Sequence, residues 1–341
     1  MTTHSPASSA ATVRAVQVTA LTGIDGLREG RIGAPADDDA VIIDVYSAGV
    51  AFPDLLMSRG QYQRKPTVPF VPGVEVAGLV SSAPAGSGCA RGDRVAAFVR
   101  LGGWAERVSA RPEFVFPLPP SVSFRTGAGL PMNYLTAHLA LVRRGGLRRG
   151  ESLLVHGSAG GLGTALVQVG KAVGARVLAV VSTPAKGSIA LDCGADEIIP
   201  VDGWLDEARR LTGGVGVNVI ADPVGGDRFL DSVSGLAREG RLLVLGFADG
   251  TIPSVPANRL LLANVDVRGV AWGSLIEDEP GYPAEQWRDL LRWMTAGHIR
   301  PVVGREFPLA AAAQALSELD TRSATGKITL TLRPEAALTA A

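Results

Sequence analysis

Residues 153–183 read LLVHGSAGGLGTALVQVGKAVGARVLAVVST, a pattern that predicts a strand, a glycine-rich turn, a helix and a second strand. Glycine at such a turn permits a tight bend, and it lets backbone N–H groups and the helix N-terminus approach a pyrophosphate. The stretch therefore predicts a dinucleotide-binding unit. Its candidate cofactor-binding residues are Gly157, Ser158, Gly160, Gly161, Leu162 and Gly163.

The end of the second strand distinguishes NAD from NADP. An NAD site normally carries an acidic residue there, about 20 residues after the glycines, which accepts a hydrogen bond from the ribose 2′-OH. This chain reads VVSTPAK instead, with Ser182, Thr183 and Lys186 and no acid. Hydroxyl and ammonium groups suit a 2′-phosphate, so the sequence favours NADPH over NADH. The alternative is that Lys186 is a solvated residue in the first turn of the next helix.

Strands and helices alternate through the middle of the chain, which predicts a doubly wound parallel sheet and hence the α/β class. The predicted strands are 152–157, 176–181, 197–201, 216–221, 241–247 and 265–273, and the predicted helices between them are 161–174, 185–193, 204–212 and 226–238. Residues 13–126 are β-rich and irregular, and two helices and the strand KITLTL end the chain. Because that last strand needs a partner, we expect a discontinuous β-rich domain. The expected divisions are 1–127, 128–273 and 274–341.

Composition excludes several classes of function. The 341 residues contain 33 Lys plus Arg and 33 Asp plus Glu, so no net positive charge favours nucleic acid or a membrane surface. No apolar run reaches the roughly 18 residues that a membrane span requires. The N-terminal sequence lacks the pattern of a secretory signal, which predicts a cytoplasmic protein. Cys89 and Cys193 are too few for a disulfide framework or a structural zinc site.

Several motifs, in order, resemble the medium-chain dehydrogenase/reductase superfamily, specifically its zinc-independent quinone oxidoreductase branch. They include SAGVAFPDLLMSRGQYQRKP, VPFVPGVEVAGLV, GGWAERV, LPMNYLTAHLAL, VHGSAGGLGTA, DPVGGDRF and TGKIT. The resemblance extends from Val13 to Leu332. It implies a GroES-like substrate domain that is interrupted by a Rossmann domain, which agrees with the discontinuity expected above.

Two positions predict that no metal takes part in the reaction. Zinc alcohol dehydrogenases of the superfamily carry a cysteine and a histidine where this chain resembles them at Ala51 and Val74, and neither side chain can bind a metal. Without a Lewis acid the enzyme needs a substrate that accepts hydride readily, such as a quinone or an α,β-unsaturated carbonyl. We expect no zinc and no other metal.

The resemblance also implies the substrate side of the site. Tyr62 matches a tyrosine that zinc-free enoyl-thioester reductases use as a proton donor, although a packing aromatic is an equally good interpretation. Asp54 can touch substrate or, preferably, order its own loop. Phe52 and Tyr134 are candidate pocket walls, and Trp272 is a candidate to close the pocket, although each is equally well interpreted as a core residue.

On the cofactor side, Asn133 and Thr136 match the region that faces the nicotinamide in relatives. The alternative for Thr136 is a helix residue whose hydroxyl bonds back to its own turn. Gly246 and Phe247 follow a predicted strand at its carboxyl end, where ligands gather. Relatives often carry a tyrosine soon after the third strand, whereas this chain reads IIPVDGW, which weakens the preference for NADPH without reversing it.

The leading hypothesis is an NADPH-dependent reductase of quinones or other conjugated carbonyls. One alternative is an enoyl-thioester reductase, and an alternative of another class is a non-catalytic NADPH-binding protein. We also expect a homodimer, because relatives pair their last Rossmann strand with its twofold mate and the segment near 265–272 is apolar enough to present such an edge.

Overall fold

The computed structural model describes residues 11–335. Its strands are β1 (Thr12–Val18), β2 (Leu27–Gly33), β3 (Val41–Val50), β4 (Glu75–Ser82), β5 (Arg94–Phe98), β6 (Arg107–Ala110), β7 (Val115–Pro117), β8 (Ser152–Val155), β9 (Arg176–Val181), β10 (Glu197–Pro200), β11 (Val217–Asp222), β12 (Leu236–Val244), β13 (Asp266–Gly269), β14 (Val303–Pro308) and β15 (Lys327–Thr331).

The α-helices are α1 (Phe52–Ser58), α2 (Phe124–Gly127), α3 (Pro131–His138), α4 (Gly161–Val173), α5 (Pro184–Asp192), α6 (Trp204–Leu211), α7 (Phe229–Gly235), α8 (Ala257–Ala263), α9 (Trp272–Asp278), α10 (Tyr282–Thr295) and α11 (Ala312–Asp320). A π-helical segment, Leu139–Arg144, continues α3. None of the described helices combines the length and the apolar composition that crossing a bilayer requires.

The second of two compact units contains the predicted doubly wound sheet. Its six strands run in the order β10-β9-β8-β11-β12-β13, and every neighbouring pair is parallel. Buried aliphatic residues fill the strands, as both faces of a parallel sheet require, and Leu154, Leu178, Ile199, Ile220 and Leu242 belong to one core cluster. The chain runs outward from β8 in one direction and from β11 in the other. The order therefore reverses between β8 and β11, where ligands bind in such sheets.

The first unit is built on antiparallel strands. β3 pairs with β4 and β6, β4 pairs with β5, and β5 pairs with β7. β14 and β15, which return from the C-terminal part of the chain, extend this sheet to seven strands beside β3. The expectation that the final strand joins the β-rich part of the chain is thereby confirmed.

The boundaries of the units differ from the expected divisions. Unit 1 comprises the described residues up to Ala128 with Glu306–Asp320 and those from Thr329 onward, whereas unit 2 comprises Gly129–Arg305 and Thr321–Ile328. Residues 274–305 belong with the parallel sheet because α10 packs on α3. Gln286 on α10 donates a hydrogen bond to the Leu135 carbonyl at 2.8 Å, and Asp289 lies 3.0 Å from His138 Nε2.

Two predicted elements also change, and one helix is additional. The predicted helix 226–238 is shorter in the structure, since α7 ends at Gly235 and β12 begins at Leu236. The predicted strand 265–273 is shortened to β13, and its last residues form the start of α9. Helix α8 was not predicted, and none of its side chains is buried.

Candidate cofactor site

The predicted glycine turn lies at the carboxyl end of β8, beside the point where the strand order reverses. Gly157 has a φ of +60°, a left-handed conformation that favours glycine. A Cβ atom on Gly163 would collide with the carbonyl oxygen of Gly157, so the first turn of α4 packs directly on the backbone of the loop. Helix α4 begins at Gly161, and its free N–H groups and positive dipole end suit an anion.

Ser158 has a structural role within this turn. The residue is buried, and its hydroxyl donates a hydrogen bond of 2.9 Å to the carbonyl oxygen of Val180 on β9. Its side chain therefore ties the turn to the neighbouring strand. Gly160, Gly161 and Leu162 are half-buried at the start of α4.

Backbone hydrogen bonds join the loops after β11 and β12 at the carboxyl edge of the parallel sheet. The backbone N–H groups of Leu245 and Ala248 donate to the carbonyls of Asp222 and Pro223, at 2.9 and 3.2 Å. Gly246 and Phe247 lie between these two bonds and are half-buried, as expected for residues that line a cleft. The paired loops form a fixed platform on the far side of the switch point from β9.

Asp222, at the end of β11, orders this platform. Its Oδ1 accepts hydrogen bonds from the N–H groups of Val224 and Gly225, at 2.8 and 2.9 Å. Its Oδ2 is buried and has no hydrogen-bond partner among the described residues. Burial raises the pKa of this carboxyl, although the two backbone donors oppose the shift.

Helix α3 brings Asn133 and Thr136 to the cofactor side. A Cβ atom on Gly161 would lie 2.7 Å from Nδ2 of Asn133, so the missing side chain is what allows this amide to approach the first turn of α4. The hydroxyl of Thr136 is buried and finds no hydrogen-bond partner within the described part of the chain. It does not bond back to its own turn. A buried hydroxyl without a partner costs about 1–3 kcal/mol, which a ligand would recover by bonding to it.

The end of β9 carries the predicted phosphate-binding residues. Ser182 and Thr183 are exposed, and Thr183 caps α5 by accepting a hydrogen bond from the Lys186 N–H at 3.3 Å. The Lys186 ammonium donates to the carbonyl oxygen of Arg322 at 2.9 Å. Arg322, which sequence reasoning missed, is exposed and has a φ of +56°. Nothing in a single sequence indicates that a residue so distant along the chain lies beside Lys186.

For Tyr134 and Trp272 the structure favours the core interpretation over the pocket. Tyr134 is 2% exposed, and its hydroxyl donates a hydrogen bond of 3.2 Å to Gln168 Oε1. Burial raises the pKa of this phenol far above its usual value, so it remains protonated. Trp272 is also buried, and its indole N–H donates to Gln286 Oε1 at 2.8 Å. Both side chains belong to the core of unit 2. Aromatic patterning in a sequence does not by itself separate core residues from pocket walls.

The candidate substrate residues lie in unit 1, on α1 and in the segment after it. Asp54 is completely buried, and its two carboxylate oxygens accept hydrogen bonds from the N–H groups of Ala51 and Gly73, at 2.8 and 2.9 Å. We therefore assign it the role of ordering the loop rather than contacting substrate. Phe52, the first residue of α1, is half-buried.

Tyr62, in the segment after α1, is half-buried and therefore remains partly accessible. Burial, and secondarily the negative charge of Asp54, raise the pKa of its phenol, whereas Arg64 lowers it. The net direction keeps the hydroxyl protonated at neutral pH. The group is therefore able to donate a proton.

Family models match most of the length occupied by these two units. A model described as alcohol dehydrogenase GroES-like domain matches residues 37–120, and one described as zinc-binding dehydrogenase matches residues 161–296. A curated relative, quinone oxidoreductase-like protein 2 of Rattus norvegicus, is 38% identical over 303 residues, which cover 88% of this chain and 87% of the relative. The chain belongs to the medium-chain dehydrogenase/reductase superfamily, in its quinone oxidoreductase-like branch.

Solved structures of the superfamily have the same fold as this member. A probable oxidoreductase from Mycobacterium abscessus superposes with a TM-score of 0.87 at 41% identity, covering 95% of this chain and all of that one. The quinone oxidoreductase from Thermus thermophilus, which has also been solved in complex with NADPH, gives a TM-score of 0.82 at 35% identity, covering 94% of this chain and all of that one. The predicted family and its GroES-like and Rossmann-like domains are confirmed.

One of the matching family models is described as a zinc-binding dehydrogenase, so whether this member can hold zinc depends on its own residues. Ala51 and Val74, the two positions predicted to lack zinc ligands, are both buried and apolar. Within residues 11–335, no group of three or more His, Cys, Asp or Glu side chains is placed to hold a metal ion.

Proposed function

We propose that this protein is an NADPH-dependent oxidoreductase that transfers hydride to a quinone or to another α,β-unsaturated carbonyl. The observation that carries the proposal is the glycine turn at the β8–β11 switch point, where Gly163 packs on the backbone of Gly157 at the N-terminus of α4. The names of the rat relative and of the Thermus thermophilus enzyme support the reaction class, and the NADPH complex of the latter supports the cofactor.

The residues of unit 2 fit NADPH along its length. The turn from Gly157 to Gly163 and the start of α4 would hold the pyrophosphate. The unpartnered hydroxyl of Thr136 would bond the nicotinamide carboxamide, which offers both a donor and an acceptor. Lys186 would neutralise the 2′-phosphate, with the Arg322 guanidinium next to it. Gly246 and Phe247 would line the cleft beyond the switch point.

Bound NADPH supplies a hydride, and the protein has to orient it, exclude water and deliver a proton. Hydride addition to a conjugated carbonyl leaves the negative charge on the carbonyl oxygen. We propose that the Tyr62 hydroxyl donates a proton to the product of an enone, since its raised pKa keeps it protonated until that charge develops. The tyrosinate then takes a proton from solvent, so hydride and proton together complete the two-electron reduction.

We also propose that the reaction needs no zinc. Alanine and valine, at positions 51 and 74, offer none of the thiolate, imidazole or carboxylate donors that zinc requires. Without a Lewis acid a simple ketone would be a poor acceptor, whereas a quinone or an enone delocalises the charge by itself. Activity is therefore expected to survive prolonged treatment with a chelator such as EDTA.

A substrate panel tests this proposal. NADPH oxidation is followed with 1,4-benzoquinone, 9,10-phenanthrenequinone, a simple enone, cyclohexanone and an enoyl thioester. We expect turnover with quinones or the enone and none with cyclohexanone. Turnover of the thioester alone would instead support the enoyl-thioester reductase alternative, and tight NADPH binding without any turnover would support a non-catalytic binding protein.

We further propose that the protein is a homodimer that pairs through β13. This strand is the last of the six-stranded sheet, with β12 as its sheet neighbour. Leu261 and Leu262 on adjacent α8 are 75% and 78% exposed, and an unprotected edge beside such side chains is an aggregation hazard unless it is covered. Light scattering at micromolar concentration is expected to give twice the mass of 35.3 kDa, and a monomer would contradict the proposal.

A further inference from the structure

A carboxylate lies beside the cations proposed to bind the 2′-phosphate. The two terminal nitrogens of Arg322 lie 3.2 Å from Oδ1 and from the backbone carbonyl oxygen of Asp249. The carbonyl oxygen of Arg322 accepts the Lys186 ammonium at 2.9 Å. Asp249 thus belongs to one cluster with both cations, although it lies in the loop after β12 and they lie on other segments.

The position of Asp249 is fixed by the loops that carry it. Its N–H group donates to the Val224 carbonyl at 2.9 Å, and this bond is one of those that join the loops after β11 and β12. Its carboxylate packs against Gly226, where a Cβ atom would collide with Oδ2. A glycine at 226 is therefore required for the carboxylate to occupy this place. The carboxylate is therefore held in place by the two paired loops.

The segment that carries Arg322 is also anchored. Gly326 donates its N–H to the carbonyl of Ala159 in the glycine turn at 2.9 Å, and Lys327 donates its N–H to the Val302 carbonyl at the same distance. Residues 322–326 therefore run from Lys186 to the glycine turn while the Arg322 side chain reaches Asp249. With both ends of the ion pair anchored, its geometry is set by the fold.

We propose that Asp249 is a specificity-determining residue that reduces the preference of this protein for NADPH over NADH. The inference rests on the proposed function, because it concerns the adenosine end of the same cofactor site. Asp249 competes with a 2′-phosphate for the Arg322 guanidinium and repels the phosphate directly. NADH carries a hydroxyl at that position, so its binding is much less affected.

The expected effect is moderate because the pair is accessible to solvent. The side chains of Arg322 and Asp249 are 59% and 34% exposed, and exposed charges interact weakly and are screened by salt. Removing one negative charge from the surroundings of a doubly charged phosphate in water corresponds to a gain of about threefold to tenfold in affinity at low salt. This gain in NADPH affinity is expected to become smaller as the salt concentration rises.

The test compares dissociation constants for NADPH and NADH, measured by fluorescence at low and high salt. The variants are Asp249→Asn, Arg322→Met and the double variant, with Glu279→Gln as the matched control. Glu279 also pairs with an exposed arginine of unit 2, Arg143, at 2.7 Å, so its substitution removes an equal charge from the same unit.

Asp249→Asn is expected to tighten NADPH binding about threefold to tenfold at low salt and to leave NADH binding within about twofold. Glu279→Gln is expected to change neither, and Asp249→Asn is expected to have a smaller effect when Arg322 is already Met. An unchanged or lower NADPH-to-NADH preference in Asp249→Asn, with both nucleotides bound by the unaltered protein, would overturn this inference alone. If the unaltered protein bound neither nucleotide, the proposed function itself would fall.

Discussion

Tyr62 is the residue on which the proposed proton transfer depends. The enolate formed from an enone is strongly basic and benefits from a positioned acid, whereas a hydroquinone anion is weakly basic and takes its proton from water. Tyr62→Phe is therefore expected to lower kcat/KM for an enone about 100-fold or more, within the range for general acids, and to change quinone turnover by less than about threefold.

Tyr46→Phe is the matched control, because Tyr46 also lies in unit 1, where its ring packs on Phe124 at a centroid distance of 4.7 Å. It is expected to leave both activities unchanged. Equal losses for the two substrates in Tyr62→Phe would show that the ring packs rather than donates. Steady-state assays with one enone and one quinone are sufficient.

His156 provides a prediction about stability rather than catalysis. It is fully buried at the end of β8, edge-on to Trp204 and 3.0 Å from the Ser232 hydroxyl, and burial lowers its pKa to about 3. In the unfolded chain its pKa returns to about 6.5, so between these values the unfolded state binds the extra proton. Stability is therefore complete above pH 6.5 and falls as the pH decreases.

This group alone is expected to cost about 2 kcal/mol of unfolding free energy between pH 7 and pH 5. Urea unfolding at the two pH values measures the loss, and His156→Gln is expected to reduce it even though that variant is less stable at pH 7. His298→Gln, at an exposed position, is the control. The same pH dependence in His156→Gln as in the unaltered protein would contradict the assignment.

At this scale the sequence indicates which residue types occur but not what they contact. Thr136 and Tyr134 lie two positions apart in one motif, yet the buried hydroxyl of Thr136 has no partner among residues 11–335, whereas that of Tyr134 bonds to Gln168 in the core. The choice between a loop-ordering and a substrate-contacting role for Asp54 depends on the two backbone N–H groups that donate to its carboxylate. Arg322 and Asp249 are 73 residues apart, and no local pattern connects them.

At the scale of elements, the βαβ unit was predictable because its signals are local. Gly160 and Gly163 mark the start of α4, Gly174 ends it in a left-handed conformation, and continuous apolar runs form the buried strands. Helix α8 and the end of β13 were not predictable. Helix α8 buries none of its residues, and β13 stops at Gly269 before the tryptophan that begins α9, so neither has an amphipathic pattern to follow.

The close packing of the glycine turn on α4 predicts the effect of a substitution at Gly163. Gly163→Ala places a methyl group against the Gly157 carbonyl, so the turn must shift away from α4. We expect NADPH affinity to fall more than about tenfold, with a loss of stability of about 1–3 kcal/mol from overpacking. Isothermal titration and thermal unfolding measure the two effects.

Gly273→Ala is the control for this substitution, since a Cβ atom there meets no other atom within 4 Å and the residue lies in helix α9. Gly273→Ala is expected to bind NADPH normally. Normal NADPH affinity in Gly163→Ala would show that the turn does not hold the pyrophosphate.

At the scale of the whole molecule, the discontinuous arrangement followed from a single unpaired strand at the end of the sequence. The boundary of the second unit did not, because the helices after β13 are assigned by contacts such as that between His138 and Asp289. The identity of the substrate is likewise not predictable from the sequence. The candidate substrate residues and the cofactor residues belong to different units, and their identities constrain the chemistry more than they constrain the shape of the substrate.

The use of NADPH by this fold is tested most directly by the pair of dissociation constants for NADPH and NADH. We expect NADPH to bind about tenfold more tightly, and Lys186→Gln to remove most of that difference, since its ammonium is one of the two charges proposed to lie at the 2′-phosphate. Lys171→Gln, which breaks a 2.8 Å ion pair with Asp196, is expected to leave the difference intact. Equal or tighter binding of NADH by the unaltered protein would contradict the account.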